Sequence, residues 1–432
     1  MDTLIFSNKK FLKDDQRYIA ALDYSSGRLK VFRDVSKGND LTSHFTKSNS
    51  SAEMIQQNVF DAIESGIADK KFLTKSTRTF VYMPTSRCNM GCDYCGQTHD
   101  NKNSPQAVDE AFLRRVLFAF ADDTIEHVHV AWFGGEPMLA YRAILNMSNK
   151  IIAAAEKSQK RYSSKMTTNG SLLTTKRLQE LIEVCKVSRF DITIDGPEQV
   201  HNRHRPLKSG GKSYANIIRT LDWYSQASFE SRALIVLRTN VDRNNFAHIF
   251  SYLNEMKDRG FVDPRKFLYE LAPVHSWGND LSSTALSTEE AAVAEIQWME
   301  EMERLGLPYG LLPGEAVIST CVATDRRSEV IGPDGTLFSC TETPLTEQAP
   351  KDAIGSVTDL QLSISRPAGQ YDRWASALQD ERLPCSTCEL RPVCGGACPK
   401  LWSEGVVACP TTKLNFDERV QILMRRNGYV SV

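Results

Sequence analysis

The chain has 432 residues, 41% of them hydrophobic and 24% charged, and its formal net charge is -1. These values are typical of a globular protein with two or three domains. A near-neutral charge argues against a nucleic-acid partner bound through a broad basic field, and no apolar run approaches the roughly 18 residues that a membrane helix needs. Because the N-terminus also lacks a signal-peptide pattern, we expect a cytoplasmic protein with no membrane partner.

Residues 1–77 are predicted to form a small N-terminal α+β module. Alternating apolar residues indicate strands over 3–12, 18–23 and 28–32, and an amphipathic pattern indicates a helix over 51–67. The pattern is compatible with a cap that packs on the next domain, and it leaves a binding role for the module equally open.

Residues 78–306 alternate between strand and helix patterns, which predicts an α/β fold with a parallel sheet and right-handed crossovers. The predicted strands cover residues 79–83, 127–132, 164–168, 190–194, 233–239 and 267–271. The predicted helices cover residues 106–120, 139–157, 174–185, 214–224, 246–259 and 288–305. These six units are fewer than the eight of a closed barrel, and ligands are expected at the carboxyl ends of the strands.

A CxxxCxxC motif, formed by Cys88, Cys92 and Cys95, directly follows the first of these strands. A four-iron cluster has four corners, so three thiolates hold it and leave one iron free for a ligand that is not protein. A structural zinc site needs four closed ligands, but no fourth Cys or His lies at the usual spacing, and His99 is the nearest candidate. The motif therefore favours an iron-sulfur cluster over zinc.

Residues 307–432 change to short segments punctuated by Pro and Gly, and end in a predicted helix. This region contains seven cysteines: Cys321, Cys340, Cys385, Cys388, Cys394, Cys398 and Cys409. Clustered cysteines in a reducing cytosol are more often metal ligands than disulfides, and seven exceed the needs of one site. Taken alone, the region is also compatible with a zinc ribbon. Cys185, alone on a predicted helix, is interpreted as a buried small hydrophobe.

The three-cysteine motif, with Tyr94 just before its third cysteine, resembles the signature of radical S-adenosylmethionine (SAM) enzymes. The resemblance implies an open, partial (β/α)6 TIM-like barrel and a [4Fe-4S] cluster whose free iron binds the amino and carboxylate groups of SAM. In that family, an electron from the cluster cleaves SAM, and a 5'-deoxyadenosyl radical abstracts a substrate hydrogen. The cofactor carries the difficult chemistry and the protein positions it.

Segments at three strand ends are similar to the SAM-binding motifs of this family. The segment after the second strand is like the GGEP motif that holds the SAM amino group. An arginine after the fourth strand, Arg203 or Arg205, is expected near the SAM carboxylate, and the motif does not decide between them. The resemblance implies these cofactor contacts: Tyr94, Gly134, Gly135, Glu136, Pro137, Thr168, Asn169, Thr193, Asp195 and Arg203. His201, in the same segment as Arg203, is interpreted as a surface-loop residue.

The sequence does not identify the catalytic residues. Glu270 and His275, at the end of the sixth strand, are expected to face the mouth of the barrel together with Trp277, and they offer an acid, a base or a stacking surface. Glu342, two residues after Cys340, is a third candidate.

The C-terminal cysteines are similar in spacing to the SPASM extension of radical SAM enzymes that modify peptides, which carries two auxiliary [4Fe-4S] clusters. The resemblance assigns one cluster to Cys385, Cys388, Cys394 and Cys409, and the other to Cys321, Cys340 and Cys398. Relatives with a full set have a further cysteine a few residues before the first of the seven, but residues 313–320 contain none. Glu315, water or the substrate is left as the fourth ligand.

A second departure concerns the residue after Cys340. Anaerobic sulfatase maturases, which oxidise Ser or Cys to formylglycine, have an Asp at this position that acts as a base, whereas this chain has Thr341. Glu342 is adjacent and is the alternative base.

The resemblance, over about residues 79–415, implies a peptide-modifying enzyme with SAM and three [4Fe-4S] clusters. We expect an oxidative intramolecular cross-link, C–C, C–S or C–O, in a ribosomally made precursor peptide with a leader segment, and an electron donor such as flavodoxin or ferredoxin. In such relatives, the N-terminal module is often a winged-helix element that binds the leader. The alternatives are a sulfatase-maturating enzyme, a peptide epimerase and a non-enzymatic zinc-binding module.

Overall fold

The computed structural model describes residues 4–14, 16–26, 28–33, 56–61, 76–228, 233–317 and 319–431. Its strands form a sheet of five strands and a sheet of nine strands. The larger sheet carries the cysteine motif and the predicted ligand edge.

The N-terminal module is an antiparallel sheet. Its strands are β1 (Leu4–Lys13), β2 (Gln16–Asp23), β3 (Arg28–Arg33) and β4 (Gln56–Asp61), paired in that order. The predicted helix over 51–67 is wrong at residues 56–61, because backbone pairing with β3 outweighs the marginal stability of a short helix. The rest of that helix lies outside the described residues. The described part of the module is built of strands and turns.

The nine-stranded sheet contains six parallel strands in chain order, as predicted. They are β5 (Thr77–Tyr82), β6 (His127–Trp132), β7 (Arg161–Thr168), β8 (Val187–Thr193), β9 (Leu234–Val241) and β10 (Phe267–Pro273). Because the strands are parallel, the loops that follow them meet at one edge of the sheet.

Helices cover the outer face of these strands. They are α1 (Gln106–Ala121), α2 (Tyr141–Ser158), α3 (Thr175–Glu183), α4 (Glu198–His204), α5 (Tyr214–Gln226), α6 (Ile249–Asp258) and α7 (Thr288–Leu305). Tyr82 of β5 stacks on Phe112 of α1, with ring centroids 4.1 Å apart. The short helix α4 was not predicted. Cys185 is fully buried, as expected, but it follows α3 rather than lying within it.

The sheet continues past the predicted boundary at residue 306. β11 (Ser328–Ile331) pairs in parallel with β5, and β12 (Thr336–Phe338) and β13 (Gly355–Ser356) follow in antiparallel order. Glu329 of β11 fixes this junction, since its buried carboxylate accepts hydrogen bonds from Arg115 Nε at 2.8 Å and from the buried Arg78. The C-terminal region is therefore anchored to the strand that precedes the cysteine motif.

The cysteine-rich region consists largely of turns and short helices. The short helices are α8 (Ala349–Asp352), α9 (Trp374–Ala377), α10 (Arg391–Cys394) and α11 (Pro399–Ser403). The last helix, α12 (Thr412–Arg426), packs against α7 and β1, and β14 (Val430–Ser431) pairs with β1. Both ends of the chain thus build the five-stranded sheet, which the sequence pattern did not indicate. Among the described helices, none has the length and apolar character needed to cross a bilayer.

Candidate active site

The three cysteines of the CxxxCxxC motif lie in the loop that follows β5. The base of this loop is closed by a hydrogen bond of 2.9 Å from Ser86 N–H to Lys102 O. Burial raises the pKa of Cys88, and it raises that of Cys92 to about 12. The thiols of Cys95 and Cys88 add to the shift of Cys92, so the three side chains lie close together. Thiols in such a group lose their protons when they bind a metal.

The glycines after β6 hold this loop. A Cβ at Gly134 would lie 2.5 Å from Thr85 O, and a Cβ at Gly135 would lie 2.4 Å from Arg87 O. Gly134 also has φ of 128°, which favours glycine. The two glycines therefore permit close contact between the end of β6 and the backbone just before Cys88.

Gly96 secures the other end of the motif. A Cβ there would lie only 1.8 Å from Trp277 O, and Asn279 Nδ2 donates to Tyr94 O at 3.2 Å. The segment after β10 therefore covers the cysteine loop, and it leaves no room for a side chain at position 96.

An open cavity of about 270 Å³, here called the upper cavity, lies at the carboxyl ends of the parallel strands. Its volume is near the lower end of the ~300–1,000 Å³ range of small-molecule sites. The three cysteines of the motif line it. Six of the predicted SAM contacts also line it: Tyr94, Gly134, Gly135, Thr168, Asn169 and Thr193.

Glu136 lies behind the wall of the upper cavity, which differs from the predicted direct contact. Its fully buried carboxylate accepts hydrogen bonds from Thr168 Oγ1 at 2.7 Å, from Asn169 N–H at 2.7 Å and from Met138 N–H at 2.9 Å. Burial raises the pKa of Glu136, and these hydrogen bonds oppose the shift. Glu136 thus orients Thr168 and Asn169. Pro137 is likewise buried outside the cavity wall.

The Tyr94 hydroxyl is the centre of a network behind the cysteine loop. It donates to Asp195 Oδ2 at 2.6 Å and accepts hydrogen bonds from Asn240 Nδ2 at 3.0 Å and from Arg205 Nη1. Asp195, predicted as a direct contact, is fully buried in this network and does not line the cavity. Burial raises the pKa of Tyr94 well above its usual value, so the hydroxyl keeps its proton.

Arg205 lines the upper cavity, whereas the predicted Arg203 does not. Arg203 is exposed on α4, whereas Arg205 is 6% exposed. Arg205 Nε has no hydrogen-bond partner among the described residues, and Arg205 Nη1 lies 3.8 Å from Asp195 Oδ2. A buried guanidinium with an unused donor at a cavity suits an anionic ligand such as a carboxylate.

The predicted surface-loop position of His201 is also wrong, because His201 is fully buried on α4. Its Nδ1 accepts a hydrogen bond from Asp195 N–H at 3.3 Å, which leaves Nε2 to donate to Ser213 Oγ at 3.1 Å. Burial lowers the pKa of His201 well below its usual value, so the ring is neutral. His201 therefore supports the turn that carries Asp195.

Another part of the cavity wall comes from β9 and from the end of β10. Arg238, His275 and Trp277 line it. Burial, together with the charge of Arg238, lowers the pKa of His275, so His275 is neutral near pH 7 and can accept a proton. Glu270 does not line the upper cavity. It pairs with Arg238 at 2.5 Å and lines a separate cavity.

Thr341 and Glu342 complete the wall on the side of the C-terminal region. Burial raises the pKa of Glu342, whereas Arg238 and Lys400 act in the opposite direction. Lys400 Nζ also lies 5.8 Å from the centre of the Trp277 ring. This part of the wall is therefore polar, and its two residues directly follow Cys340 in the chain.

The seven C-terminal cysteines fall into two groups in space. Cys385, Cys388, Cys394 and Cys409 line one cavity of about 260 Å³, and after burial the other three thiols are the largest causes of the raised pKa of Cys385. Cys321, Cys340 and Cys398 form the other group, since the thiols of Cys321 and Cys398 add to the burial that raises the pKa of Cys340 to about 12. These are the two sets that the resemblance assigned.

The chemistry of the donor sets suits iron-sulfur clusters. All three sets consist of thiols, the ligands that such clusters require. Among the described residues, no three His, Cys, Asp or Glu side chains converge closely enough to hold one metal ion.

Sequence reasoning missed Arg238, Asn240 and Lys400, and of two candidate arginines it chose Arg203 over Arg205. A signal existed for two of them, because Arg238 and Asn240 are polar residues two apart on β9, hence on one face of a strand that begins with four apolar residues. For Arg205, the missing information was helix α4, because the turn of this helix exposes Arg203 and buries Arg205. Lys400 had no comparable signal.

Comparisons with known proteins agree with this geometry. Residues 82–253 match the model of the Radical SAM superfamily. The serine-type anaerobic sulfatase-maturating enzyme of Klebsiella aerogenes is 23% identical over 333 residues, which cover 72% of this chain and 77% of that protein. The corresponding enzyme of Bacteroides thetaiotaomicron is 22% identical over 359 residues, which cover 72% of this chain and 80% of that protein.

Two solved structures share the fold. The anSMEcpe structure with bound AdoMet and the Cp18Cys peptide has a TM-score of 0.60 and 19% identity, and the match covers 81% of this chain and 97% of that chain. Streptococcus suis SuiB bound to the precursor peptide SuiA has a TM-score of 0.51 and 12% identity, with 79% and 76% of the two chains covered. Residues 82–253 of this chain therefore match the radical SAM superfamily, and the chain shares the partial-barrel fold of these two structures.

Proposed function

We propose that this protein is a radical SAM peptide maturase that installs an oxidative intramolecular cross-link, C–C, C–S or C–O, in a ribosomally made precursor peptide. One observation carries the proposal: the upper cavity is bounded by the CxxxCxxC cysteines and also by Thr341 and Glu342, which directly follow Cys340. A substrate in this cavity would lie between two thiol sets. The peptides bound to anSMEcpe and SuiB support a peptide as the substrate class.

The first cluster would be held by Cys88, Cys92 and Cys95. The residues that would hold SAM are Gly134, Gly135, Thr168, Asn169, Thr193 and Arg205, with Arg205 Nε directed to the carboxylate. When bound, the cluster and SAM supply a radical that removes a hydrogen atom from the substrate. Tyr94, Asp195, Glu136 and His201 would act from behind the wall by fixing these residues.

A bond between two substrate atoms also requires the loss of a proton and an electron. We propose His275 as the proton acceptor, because it lines the upper cavity and is neutral near pH 7. Glu270 is unsuited to this role because it lies outside the cavity and is paired with Arg238. The two C-terminal thiol sets would hold clusters able to accept one electron each. An electron donor such as flavodoxin or ferredoxin completes the proposed partners, together with a leader segment on the precursor.

Sulfatase maturation is the second candidate function. It is supported by the similarity to curated sulfatase-maturating enzymes over 72% of the chain. Thr341 argues against sulfatase maturation. The resemblance places at this position an Asp that acts as a base, and a threonine hydroxyl is not a base near neutral pH.

Mass spectrometry of a precursor peptide encoded beside this gene, after incubation with the anaerobic protein, SAM and a reductant, distinguishes these functions. A cross-link removes two hydrogens and suppresses backbone fragments between the joined residues. Formylglycine introduces an aldehyde that reacts with a hydrazide, and epimerisation leaves the mass unchanged but incorporates deuterium from heavy water. An unmodified peptide, despite rapid SAM cleavage, would contradict the proposal. Colourless protein with zinc and no iron would instead establish the zinc-binding module.

A further inference from the structure

We propose that the outer edge of β10 binds an extended segment of the precursor peptide as an additional β-strand. This inference rests on the proposed function, because it takes a ribosomally made peptide as the substrate. β10 lies at one end of the nine-stranded sheet, so only one of its two edges is paired with another strand of that sheet. An extended peptide can add to an exposed sheet edge through backbone hydrogen bonds.

The first half of this outer edge is already occupied. Tyr269 N–H donates to Pro308 O at 2.8 Å, and Tyr269 forms a parallel bridge with Tyr309. On the inner edge, Val274 N–H donates to Val241 O of β9 at 3.0 Å. Backbone groups alternate between the two edges along a strand. Even-numbered residues of β10 therefore pair with β9, and odd-numbered residues direct their backbone groups to the outer edge.

The second half of the outer edge is free. Leu271 is the next odd-numbered residue, and among the described residues no hydrogen-bond partner of its backbone N–H or C=O lies on that edge. Residues 271–273 are half-buried, so this backbone is accessible. Natural proteins usually protect such edges, as at the opposite end of this sheet, where β13 has only two residues. The backbone of Leu271 thus offers one donor and one acceptor to a further strand.

A second cavity, here called the lower cavity, lies beside this edge. It has a volume of about 320 Å³, and Glu270 and Leu271 of β10 line it. The charged residues that line it are paired within the protein: Glu270 with Arg238 at 2.5 Å, Glu295 with Arg419 at 2.5 Å, and Arg189 with Asp191 at 2.7 Å. Apolar side chains form much of the remaining wall, among them Leu268, Trp298, Met299 and Met302. Since methionine side chains adapt to irregular shapes, the lower cavity suits an uncharged, apolar side chain.

The free edge joins the two cavities. Leu271 lines the lower cavity, and Pro273, two residues further on, lines the upper cavity. Two residues of a strand span about 7 Å. A peptide strand paired at Leu271 would therefore place one side chain beside the lower cavity. A residue within roughly four positions of it would enter the upper cavity, beside the CxxxCxxC cysteines.

The edge favours a flexible peptide over the edge strand of a folded protein. Pro273 has no N–H and ends the run of outward donors, so only a short segment can pair. The added strand must also continue into the upper cavity, whose volume of about 270 Å³ suits a single chain. We therefore expect an extended precursor segment with an apolar residue within roughly four positions of the modified residue.

Hydrogen–deuterium exchange of the anaerobically reconstituted protein, with and without the precursor peptide encoded beside this gene, tests the edge directly. In the free protein, the Leu271 amide should exchange rapidly, because it has no acceptor. Saturating precursor should slow its exchange by about tenfold or more. The Tyr269 amide, already bonded to Pro308, is the internal control and should change much less.

Two substitutions at one position separate the backbone donor from the side chain. Leu271→Pro and Leu271→Ala both remove the leucine side chain, but only the proline removes the outward N–H. Fluorescence anisotropy of the labelled precursor should show an affinity roughly 2- to 12-fold lower for Leu271→Pro than for Leu271→Ala. Because proline can also disturb the strand, a scan of N-methylated precursors against the wild-type protein gives an independent result. Methylation of one backbone nitrogen in the paired segment should weaken binding, and methylation of the nitrogens on either side of it should not.

Unchanged exchange of the Leu271 amide with bound precursor would overturn the inference. Equal affinities of folded Leu271→Pro and Leu271→Ala, or an N-methyl scan without this alternation, would also contradict it. Protection that grows with protein concentration in the absence of precursor would show that a second copy of this chain occupies the edge, which would refute the choice of the peptide. A precursor that is cross-linked without protection of Leu271 would overturn this inference alone, whereas a precursor that protects Leu271 but is never modified would overturn the proposed function instead.

Discussion

Replacement of Arg205 by glutamine separates the two roles that the structure gives to this residue. Arg205 Nη1 lies 3.8 Å from Asp195 Oδ2, and both side chains are buried. At an effective dielectric constant of about 20, that distance corresponds to about 4 kcal/mol of attraction. Loss of one partner of a buried pair typically costs roughly 3–5 kcal/mol, so we expect Arg205→Gln to lower the free energy of unfolding by a similar amount.

The same substitution removes the unused Nε donor from the wall of the upper cavity. A hydrogen bond to a charged group contributes roughly 1.5–3 kcal/mol, which corresponds to roughly a 10- to 150-fold loss of SAM affinity. Arg205→Lys should recover much of the stability, since it keeps the charge, but little of the affinity, since it lacks the planar donors of arginine.

Equilibrium dialysis of SAM against the unreduced, reconstituted protein measures the affinity, and urea unfolding measures the stability. Arg203→Gln is the matched control, because Arg203 is exposed two residues away. It should change either quantity little. Wild-type SAM affinity in Arg205→Gln, or a loss confined to Arg203→Gln, would refute the assignment of Arg205 to the cofactor.

Three further substitutions test the fold around the site. Gly96→Ala places a Cβ 1.8 Å from Trp277 O, so urea unfolding should show that the free energy of unfolding falls by roughly 1–3 kcal/mol. In the control Gly91→Ala, the new Cβ meets no described atom within 4 Å, so the free energy of unfolding should change by no more than about 0.5 kcal/mol. Equal effects of the two substitutions would contradict this packing. Glu329→Gln leaves two buried arginines without a counter-charge, so it should lower the free energy of unfolding by roughly 3–5 kcal/mol in the same assay. A change below about 1 kcal/mol would contradict the role of Glu329 in joining β11 to β5. His201 is held neutral in the folded chain, so below pH 6.5 the unfolded chain binds a proton that the folded chain does not. As the pH falls, this difference should lower the free energy of unfolding by about 1.4 kcal/mol per pH unit. His201→Gln should remove that contribution between pH 6.5 and 5, and the same slope of the free energy of unfolding against pH in both proteins would show that His201 titrates normally.

The parallel half-barrel was predictable because its strands and helices carry strong local patterns. The predicted strand over 127–132 and helix over 288–305 agree with β6 (His127–Trp132) and α7 (Thr288–Leu305), and α7 begins at a capping box formed by Ser287 and Glu290. The N-terminal sheet was less predictable, because one of its strands, β14, comes from the other end of the chain. Pairing between segments more than 400 residues apart leaves no local pattern.

The site was predictable where the chemistry depends on residue type and spacing. Cys88, Cys92 and Cys95 group as expected because thiols in a short motif stay together in any fold of that segment. The grouping of the C-terminal cysteines, which are farther apart in the sequence, followed from the family resemblance. The contacts of Glu136, Asp195 and Arg203 were not predictable, because spacing alone does not show which of several neighbouring residues lines the cavity and which supports the wall from behind. Arg205 shows this most clearly, since two residues of separation on a short helix reverse exposure and burial.

The central claim is that Cys88, Cys92 and Cys95 together hold the group that cleaves SAM. Its most direct test is the rate of 5'-deoxyadenosine formation from SAM by anaerobically reconstituted protein with a chemical reductant. We predict that alanine at any of these three positions abolishes the product, whereas Cys185→Ala, at a buried cysteine outside all three sets, retains it. Wild-type rates of 5'-deoxyadenosine formation in any of the three motif variants would contradict the account.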